Sequence, residues 1–140
     1  MKKIISVMLI TIMLLSGTLL SAYAALPEND IVEPQWDTIN TLISNFGFDG
    51  TDGCAAGSCV RKTGVTLLEG TLKVYKNVNG SWVYVTETSK SASVGSLAMS
   101  FHFTCSYGTE YKSVFTVTGY KNGVAETVTK TAYDTCWQTA

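Results

Sequence analysis

His102 is the only histidine in the chain, and histidine is the residue type best suited to act as a base near neutral pH. A relay of the Ser–His–acid or Cys–His type would need His102 beside a nucleophile. Its neighbours alternate between apolar and polar types, which places it on the outward face of a strand. The chain has no Gly-x-Ser-x-Gly motif, and we expect its cysteines to be bonded to one another. We therefore interpret His102 as a surface residue and expect neither catalytic residues nor enzymatic activity.

A turn-rich segment with two acidic residues is a candidate for a calcium site. The segment Asp49-Gly50-Thr51-Asp52-Gly53 would present the carboxylates of Asp49 and Asp52 on flexible backbone. Its spacing does not match a calcium-binding loop, and no late glutamate completes one. A catalytic zinc ion usually takes two or three histidines, and this chain has one. We therefore interpret the segment as a loop and expect no metal site and no cofactor.

The aromatic residues around Asn79-Gly80 are the most suggestive group for binding. A two-residue turn there would place Tyr75 opposite Tyr84 and Asn77 opposite Trp82. Tyr75, Trp82 and Tyr84 would then form an outward aromatic strip on which a sugar ring or a protein partner can stack. The other face would carry Leu72, Val74, Val83 and Val85. A four-residue loop starting at Asn77 would instead turn Trp82 inward. We expect Trp82 in the core, because a domain of this size needs its large aromatic residues there.

The elements that position these residues are predicted to be strands. Residues 97–105 alternate strictly between apolar and polar types, the pattern of a strand with one face in a core. Asn79-Gly80 and Asn122-Gly123 favour the positive φ angles of type I′ turns, so each pair predicts a hairpin. The four hairpin strands are then Leu67–Val78, Ser81–Thr88, Tyr111–Lys121 and Val124–Ala132.

About seven short strands separated by turns, with no convincing helix, predict an all-β fold. Further strands are expected at Thr41–Phe48 and around Cys59–Thr63, and the one weak helical candidate is a turn around Trp36–Leu42. An immunoglobulin-like antiparallel β-sandwich fits this number and spacing of strands. A small β-barrel is the alternative, because the strand count alone does not separate the two architectures.

The N-terminus is typical of a secretory signal peptide. Lys2 and Lys3 precede an apolar run, and Ala22-Tyr23-Ala24 has the small-x-small pattern that signal peptidase reads. We expect cleavage after Ala24, which leaves residues 25–140 as a single extracellular domain. Without Lys2 and Lys3, eight of the ten basic residues and all eleven acidic ones remain, a formal net charge of −3. This balance gives no reason to expect nucleic acid or, after cleavage, a membrane as partner.

Four cysteines lie beyond the cleavage site, at Cys54, Cys59, Cys105 and Cys136. In an exported chain they are expected to form two disulfides that staple the domain, with no free thiol, rather than a zinc site. In an immunoglobulin-like order, the start of the second strand and the ends of the fifth and last strands share one pole. This favours Cys59–Cys105 with Cys54–Cys136. The alternative is Cys54–Cys59 with Cys105–Cys136, since sequence alone does not choose among the three pairings.

Several short motifs resemble a group of small secreted β-sandwich proteins of Gram-positive bacteria whose function is uncharacterised. They are Trp36 with Ile39, Val74-Tyr75-Lys76 leading to Gly80-Ser81-Trp82, Gly108 with Tyr111, and Glu126-Thr127. The resemblance implies an immunoglobulin-like fold and export, and it implies no known activity. The segment from Gly108 to Tyr111 is also similar to a tyrosine corner, in which a tyrosine hydroxyl bonds to upstream backbone.

From the sequence we expect a secreted, non-enzymatic binding or interaction module. Its ligand would be an extracellular protein or glycan, with Tyr75, Trp82 and Tyr84 as the candidate binding residues. One alternative is a carbohydrate-directed module or small glycoside hydrolase that uses paired acids such as Glu87 and Glu110. Another is a secreted toxin or inhibitor, for which the size and the export signal are suitable.

Overall fold

The computed structural model describes residues 35–137, so the predicted signal peptide at residues 1–24 lies outside the described residues. The described part of the chain forms seven strands and holds no helix long and apolar enough to cross a membrane. The strands are β1 (Ile39–Asp49), β2 (Asp52–Arg61), β3 (Val65–Val78), β4 (Ser81–Ala92), β5 (Leu97–Thr104), β6 (Glu110–Lys121) and β7 (Val124–Thr135).

The strands form two antiparallel sheets, in the orders β1-β2-β5 and β4-β3-β6-β7. The inner faces of both sheets contribute to one hydrophobic core. This confirms the predicted seven-strand sandwich. The strand order is immunoglobulin-like, with the fourth strand beside the third rather than beside the fifth as in constant-type domains. Within residues 35–137 each sheet keeps two edge strands, so the closed barrel that the sequence also allowed is not formed.

Both Asn-Gly hairpins are confirmed. The φ angles are 52° and 84° at Asn79 and Gly80, and 53° and 76° at Asn122 and Gly123, as a type I′ turn requires. Val78 therefore pairs with Ser81, and Lys121 pairs with Val124. Because a turn of fixed length sets the register of its strands, these two pairs decide which face every hairpin side chain occupies.

The segment before β3 differs from the prediction. Residues 39–49 form a strand, so the helical candidate around Trp36–Leu42 is wrong. The expected five-residue loop contracts to Gly50-Thr51, because Gly50 takes a φ of 59° and Asp49 pairs with Asp52. The second strand therefore starts at Asp52, well before the predicted strand around Cys59–Thr63.

Phe115 lies at the centre of the core and is fully buried. A Cβ atom at Gly57 on β2 would lie 2.7 Å from the Phe115 ring, and one at Gly70 on β3 would lie 3.2 Å from it. Both distances are shorter than normal carbon contacts, so the two glycines leave the space that the ring fills. Other fully buried side chains around it are Ile39, Leu68, Leu72, Val74, Leu97, Tyr111, Ser113 and Val117.

Tyr111 closes one end of the sandwich. It is almost fully buried, and its hydroxyl accepts a hydrogen bond from the Ser106 amide at 2.9 Å. This is the bond from a tyrosine hydroxyl to upstream backbone that defines a tyrosine corner, so the resemblance noted from the sequence is confirmed. At the same end, the Gly108 amide donates to the Cys136 carbonyl at 2.7 Å, which ties the loop between β5 and β6 to the end of β7.

The disulfide pattern differs from both predicted pairings. Cys105 and Cys136 form a disulfide with Cα atoms 6.4 Å apart, whereas Cys54 and Cys59 are free thiols. Cys59–Cys105 and Cys54–Cys136 are therefore wrong, and of the alternative only Cys105–Cys136 is formed. Cys54 and Cys59 are separated by five residues of one strand, or about 17 Å, and point to opposite faces, so they cannot bond to each other.

Glu126 on β7 binds the residues that lead into β1. Its carboxylate accepts hydrogen bonds from the Thr38 hydroxyl at 2.6 Å, the Thr38 amide at 2.8 Å and the Asp37 amide at 3.1 Å. The bond from the Thr38 side chain is the main cause that lowers the pKa of Glu126; the two amides and the charge of Lys62 act in the same direction, and partial burial opposes them. The contact fastens the start of one sheet to an edge strand of the other.

We expect Glu126→Gln to lower stability at pH 7 and to have less effect in acid. Because the folded state lowers the pKa of this carboxyl, its contribution is present above the pKa of the unfolded chain. That contribution is lost as the pH falls through the folded-state pKa. Urea midpoints of wild type and variant at pH 7 and pH 3 measure the difference, and a gap that does not shrink at pH 3 contradicts the argument. Glu87→Gln, which removes only the exposed ion pair with Lys73, is the control expected to change little.

Candidate functional site

The predicted aromatic strip lies on the outer face of the four-stranded sheet, at the Asn79-Gly80 turn. Tyr75 pairs with Tyr84, and Asn77 pairs with Trp82, as the two-residue turn requires. Trp82 is half-buried and belongs to this outer face. Our expectation that Trp82 fills the core is therefore wrong. The four-residue loop on which it depended does not form, because both turn residues take positive φ.

Two residues from neighbouring strands complete the cluster. Lys112 on β6 lies opposite Tyr75 on one side and opposite Tyr133 of β7 on the other. The Trp82 and Tyr133 rings meet with centroids 5.8 Å apart, and the Tyr75 and Tyr84 rings with centroids 6.1 Å apart. We call Tyr75, Trp82, Tyr84, Lys112 and Tyr133 the aromatic face.

The ammonium group of Lys112 lies between two of the rings. Its Nζ atom is 4.6 Å from the centroid of Trp82 and 5.2 Å from that of Tyr75. Both distances are within the range of cation–π attraction, which holds the lysine and the indole against the sheet. Trp82 belongs to β4 and its ring contacts Tyr133 on β7, so the indole side chain extends across β3 and β6, which lie between these strands. The outer surface here is a layer of aromatic rings around one positive charge.

The hairpin of β3 and β4 contains a β-bulge next to the aromatic face. The register shifts between Val74 and Tyr75, since Val74 pairs with Thr86 while Tyr75 pairs with Tyr84. Val85 is thus the extra residue and packs partly against the core. Of the four residues predicted for the inner face, Leu72 and Val74 are fully buried, and Val83 is 43% exposed. That prediction is therefore correct for the middle of the hairpin and incorrect at its end.

Polar groups line the edge of the aromatic face. The Asn77 amide nitrogen donates to Glu110 at 3.0 Å, and its carbonyl oxygen accepts from the Gly80 amide at 2.9 Å. Asn77 therefore links the turn to β6 and holds the Glu110 carboxylate beside the rings. Two rings are open to solvent, since Tyr84 is 52% and Tyr133 is 60% exposed. Open rings with an amide, a carboxylate and an ammonium at hand can combine stacking with hydrogen bonding.

The paired acids considered for a glycoside hydrolase are engaged separately. Glu87 lies opposite Lys73 and forms an ion pair with it at 3.3 Å. Glu110 accepts the bond from Asn77, which lies four residues beyond Lys73 on β3. Glu110 belongs to β6 and Glu87 to β4, so the two acids lie on opposite sides of β3. Strand geometry puts the two backbone positions about 16 Å apart. The two carboxylates therefore do not face one another across a shared site.

His102 lies on the outer face of the three-stranded sheet, as predicted. Its Nδ1 atom is 2.8 Å from a carboxylate oxygen of Asp52, and both side chains are more than half exposed. Asp49 pairs with Asp52 across the tight turn between β1 and β2. In the part of the chain that the structure describes, no three His, Cys, Asp or Glu side chains are grouped as metal ligands would be.

Lys112 and Tyr133 were missed from the sequence, although part of their placement carried a signal. Counting back from the Asn122-Gly123 turn pairs Lys121 with Val124, and hence Lys112 with Tyr133. The second hairpin therefore predicts that these two residues share a face. No turn connects β3 with β6, so no local signal places Lys112 beside Tyr75.

No protein-family model and no curated protein sequence matches the chain. Among solved structures, the fold is similar to that of Spo0M, a sporulation control protein from Bacillus subtilis, with a TM-score of 0.41 and 11% sequence identity. The match covers 71% of this chain and 49% of that protein, so the chain spans about half the length of its structural neighbour.

Proposed function

We propose that the protein is a secreted, non-enzymatic binding module that takes an extracellular ligand on the aromatic face. The observation that supports this most directly is the placement of four aromatic rings and one ammonium group on the outside of a sheet. These rings contribute little to the core, which is filled by other residues. Exposed aromatic clusters with polar edges are typical of binding surfaces.

A carbohydrate is the ligand class that fits this surface best. Sugar rings present apolar C–H faces that stack on aromatic rings, and hydroxyl groups that need donors and acceptors beside them. Tyr84 and Tyr133 are the open rings, and Asn77, Glu110 and Lys112 supply the polar groups. Carbohydrate recognition of this kind needs no catalytic pair of acids.

Export is supported by the sequence and by the likeness to small secreted proteins of Gram-positive bacteria. The basic residues, apolar run and Ala22-Tyr23-Ala24 site at the N-terminus fit a cleaved signal peptide. A disulfide between Cys105 and Cys136 is compatible with an oxidising compartment. On this proposal the mature protein begins at Ala25, and binding is to be measured on protein recovered from culture medium.

We expect this secreted protein to bind a subset of sugars on a glycan array, and Tyr84→Ala and Trp82→Ala to weaken that binding by at least tenfold. The exposed Tyr84 ring offers contact area to the ligand, so Tyr84→Ala should change stability little. Trp82→Ala also removes the contacts with Tyr133 and Lys112, so its stability should fall by about 1–2 kcal/mol, less than the roughly 3–5 kcal/mol of a core ring. Titration of the array hits by calorimetry, with denaturant unfolding of each variant, measures both effects.

Thr129→Ala is the matched control, because Thr129 lies on the same outer face of β7 but pairs with Thr116 in a hydroxyl contact away from the rings. It should leave sugar binding unchanged. Binding to no glycan, or equal binding by wild type and Tyr84→Ala, contradicts the carbohydrate assignment. Capture of a protein ligand that depends on Tyr84 would retain the aromatic face and replace the ligand class.

A further inference from the structure

The outer face of the three-stranded sheet carries a free thiol beside an imidazole and a carboxylate. Cys54 on β2 lies directly opposite His102 on β5, and Asp52 precedes Cys54 by two residues on the same face. Side chains directly opposite on antiparallel strands have Cβ atoms about 5 Å apart. Asp52 holds His102 through Nδ1 at 2.8 Å, which leaves Nε2 as the free nitrogen. We call these three residues the thiol cluster.

A groove of about 600 Å³ begins one row of side chains from the thiol cluster and is lined by residues of β1, β2, β4 and β5. Asn45, Ala56 and Ser100 line it and are partners across β1, β2 and β5, one row beyond Cys54 and His102. Lys90 of β4 lines it from the other sheet and donates to the Ala98 carbonyl. Most of the lining side chains are small, so an extended chain or a small molecule can lie in the groove with its end one row of side chains from Cys54.

We propose that the thiol cluster carries out thiol–disulfide exchange with a disulfide-bearing molecule that the groove holds beside Cys54. The sulfur of Cys54 bonds to one sulfur of the partner R–S–S–R′ as the bond between the two partner sulfurs breaks. The Cys54 proton passes to Nε2 of His102 and then to the leaving R′–S⁻, giving Cys54–S–S–R and R′–SH. Cys54 is oxidised and the partner disulfide is reduced, so no further oxidant is needed.

The surrounding backbone favours exchange with a disulfide over acyl transfer. An acyl-transfer site needs hydrogen-bond donors, often backbone amides, that stabilise a developing oxyanion. β2 is the central strand of its sheet, paired with β1 on one side and β5 on the other, so its amides are used in the ladder. Attack on a disulfide develops no oxyanion, and it needs a thiolate with access to solvent.

Cys59 provides an internal comparison. It lies on the same strand but on the inner face, fully buried, and burial raises its pKa to about 11. The residue opposite Cys59 on β5 is Leu97, so His102 does not lie beside this thiol. The two free thiols therefore differ in access and in neighbours, and only Cys54 is half-exposed.

The test uses the whole protein, purified without reductant, with dithiobis-nitrobenzoate and oxidised glutathione as the two disulfide probes. We expect one thiol per native chain to react, at least tenfold faster than free glutathione at the same pH, and mass spectrometry to locate the new disulfide at Cys54. Cys59 should react only after unfolding. If mass spectrometry instead finds a disulfide that joins Cys54 of two chains, the molecule that exchanges with Cys54 is a second copy of this chain.

Three variants test whether His102 acts as a base in the exchange reaction. His102→Gln keeps a hydrogen-bonding side chain but removes the base, and should slow the reaction at least tenfold without changing the melting temperature. Asp52→Asn should slow it less, because Asp52 is a positioning residue. Asp49→Asn is the matched control: this carboxylate faces Asp52 but does not bond to His102, and its loss should not slow the reaction.

The pH profile supplies a readout that a structural role would not change. The charged groups that face the cluster are Asp52 on β2 and Asp49 on β1, with Lys90 of β4 at the groove, while β5 offers only His102. The dependence of the rate on pH should differ between wild type and His102→Gln. A wild-type rate equal to that of glutathione, an unchanged rate in His102→Gln, or ester cleavage without disulfide exchange overturns the proposal. The cluster and the aromatic face occupy different sheets, so either proposal can fail alone.

Discussion

Phe115→Ala should lower the free energy of unfolding by about 3–5 kcal/mol, the range for removing a large buried aromatic side chain. The ring is fully buried and touches both sheets, because Gly57 on β2 and Gly70 on β3 give it space. Those glycines have no side chains that could turn into the cavity after truncation. The core therefore cannot collapse easily around the truncated side chain, and the cost should lie in the upper part of the range. Urea unfolding followed by tryptophan fluorescence measures it.

Two further variants test the reason for the effect. Phe101→Ala, on edge strand β5, removes a ring that is only partly buried and should cost about 1–2 kcal/mol. Gly57→Ala places a methyl group 2.7 Å from the Phe115 ring and should also destabilise, by about 1–3 kcal/mol, through overpacking. A Phe115→Ala variant that loses less than about 1 kcal/mol would mean that the ring is not the contact between the sheets.

The hairpins show how far the sequence determines this fold. Asn79-Gly80 and Asn122-Gly123 specify turns of two residues, and a turn of known length fixes the pairing along both of its strands. The positions of β3, β4, β6 and β7 follow from them. For the hairpin at Asn79-Gly80 we had favoured a four-residue loop, because a large aromatic residue such as Trp82 suits a core. Backbone geometry at the turn outweighed that preference, and Trp82 faces outward.

The prediction failed at β2 for a compositional reason. The strand reads Asp52-Gly53-Cys54-Ala55-Ala56-Gly57, and glycine and alanine are poor strand formers when judged alone. In the folded protein the glycines are required, because the rings of Phe103 and Phe115 lie over Gly53 and Gly57. A close approach between layers is a property of the tertiary structure, and no local pattern in the sequence reports it.

The error at β2 carried over to the cysteines. A strand starting near Cys59 would bring that residue to the pole where Cys105 and Cys136 lie. Because β2 starts at Asp52, Cys59 is at the opposite end of the strand and pairs with Leu97 at the beginning of β5. Cys54 is near the correct pole but points away from the core. The disulfide that forms joins the two cysteines that follow β5 and β7.

The candidate sites divide in the same way. The strip of Tyr75, Trp82 and Tyr84 follows from one hairpin and was within reach of the sequence. The thiol cluster depends on β2 and β5 being neighbours, which no turn specifies. The sequence identified His102 as outward and single, and on that basis it was interpreted as a surface residue. Its bond to Asp52 and its position opposite Cys54 give it a chemical context that residue counting did not provide.

Replacing both Cys105 and Cys136 by alanine should lower the free energy of unfolding by about 3–4 kcal/mol. The disulfide closes a loop with a sequence separation of 31 residues, and the chain-entropy model gives this range for a loop of that length. The same region holds the Tyr111 hydroxyl bond and the bond from the Gly108 amide to Cys136, so the end of the sandwich should open first. Urea midpoints with and without reductant provide the measurement.

The decisive comparison is with Cys54→Ala. Under the observed pairing this variant removes a half-exposed free thiol and should change stability by no more than about 0.5 kcal/mol. Under a Cys54–Cys136 pairing it would cost as much as the double variant. Reductant should lower the midpoint of wild type and of Cys54→Ala equally, and should leave the double variant unchanged. A double variant that still responds to reductant would place a disulfide at Cys54 or Cys59, and would remove the free thiol on which the exchange chemistry depends.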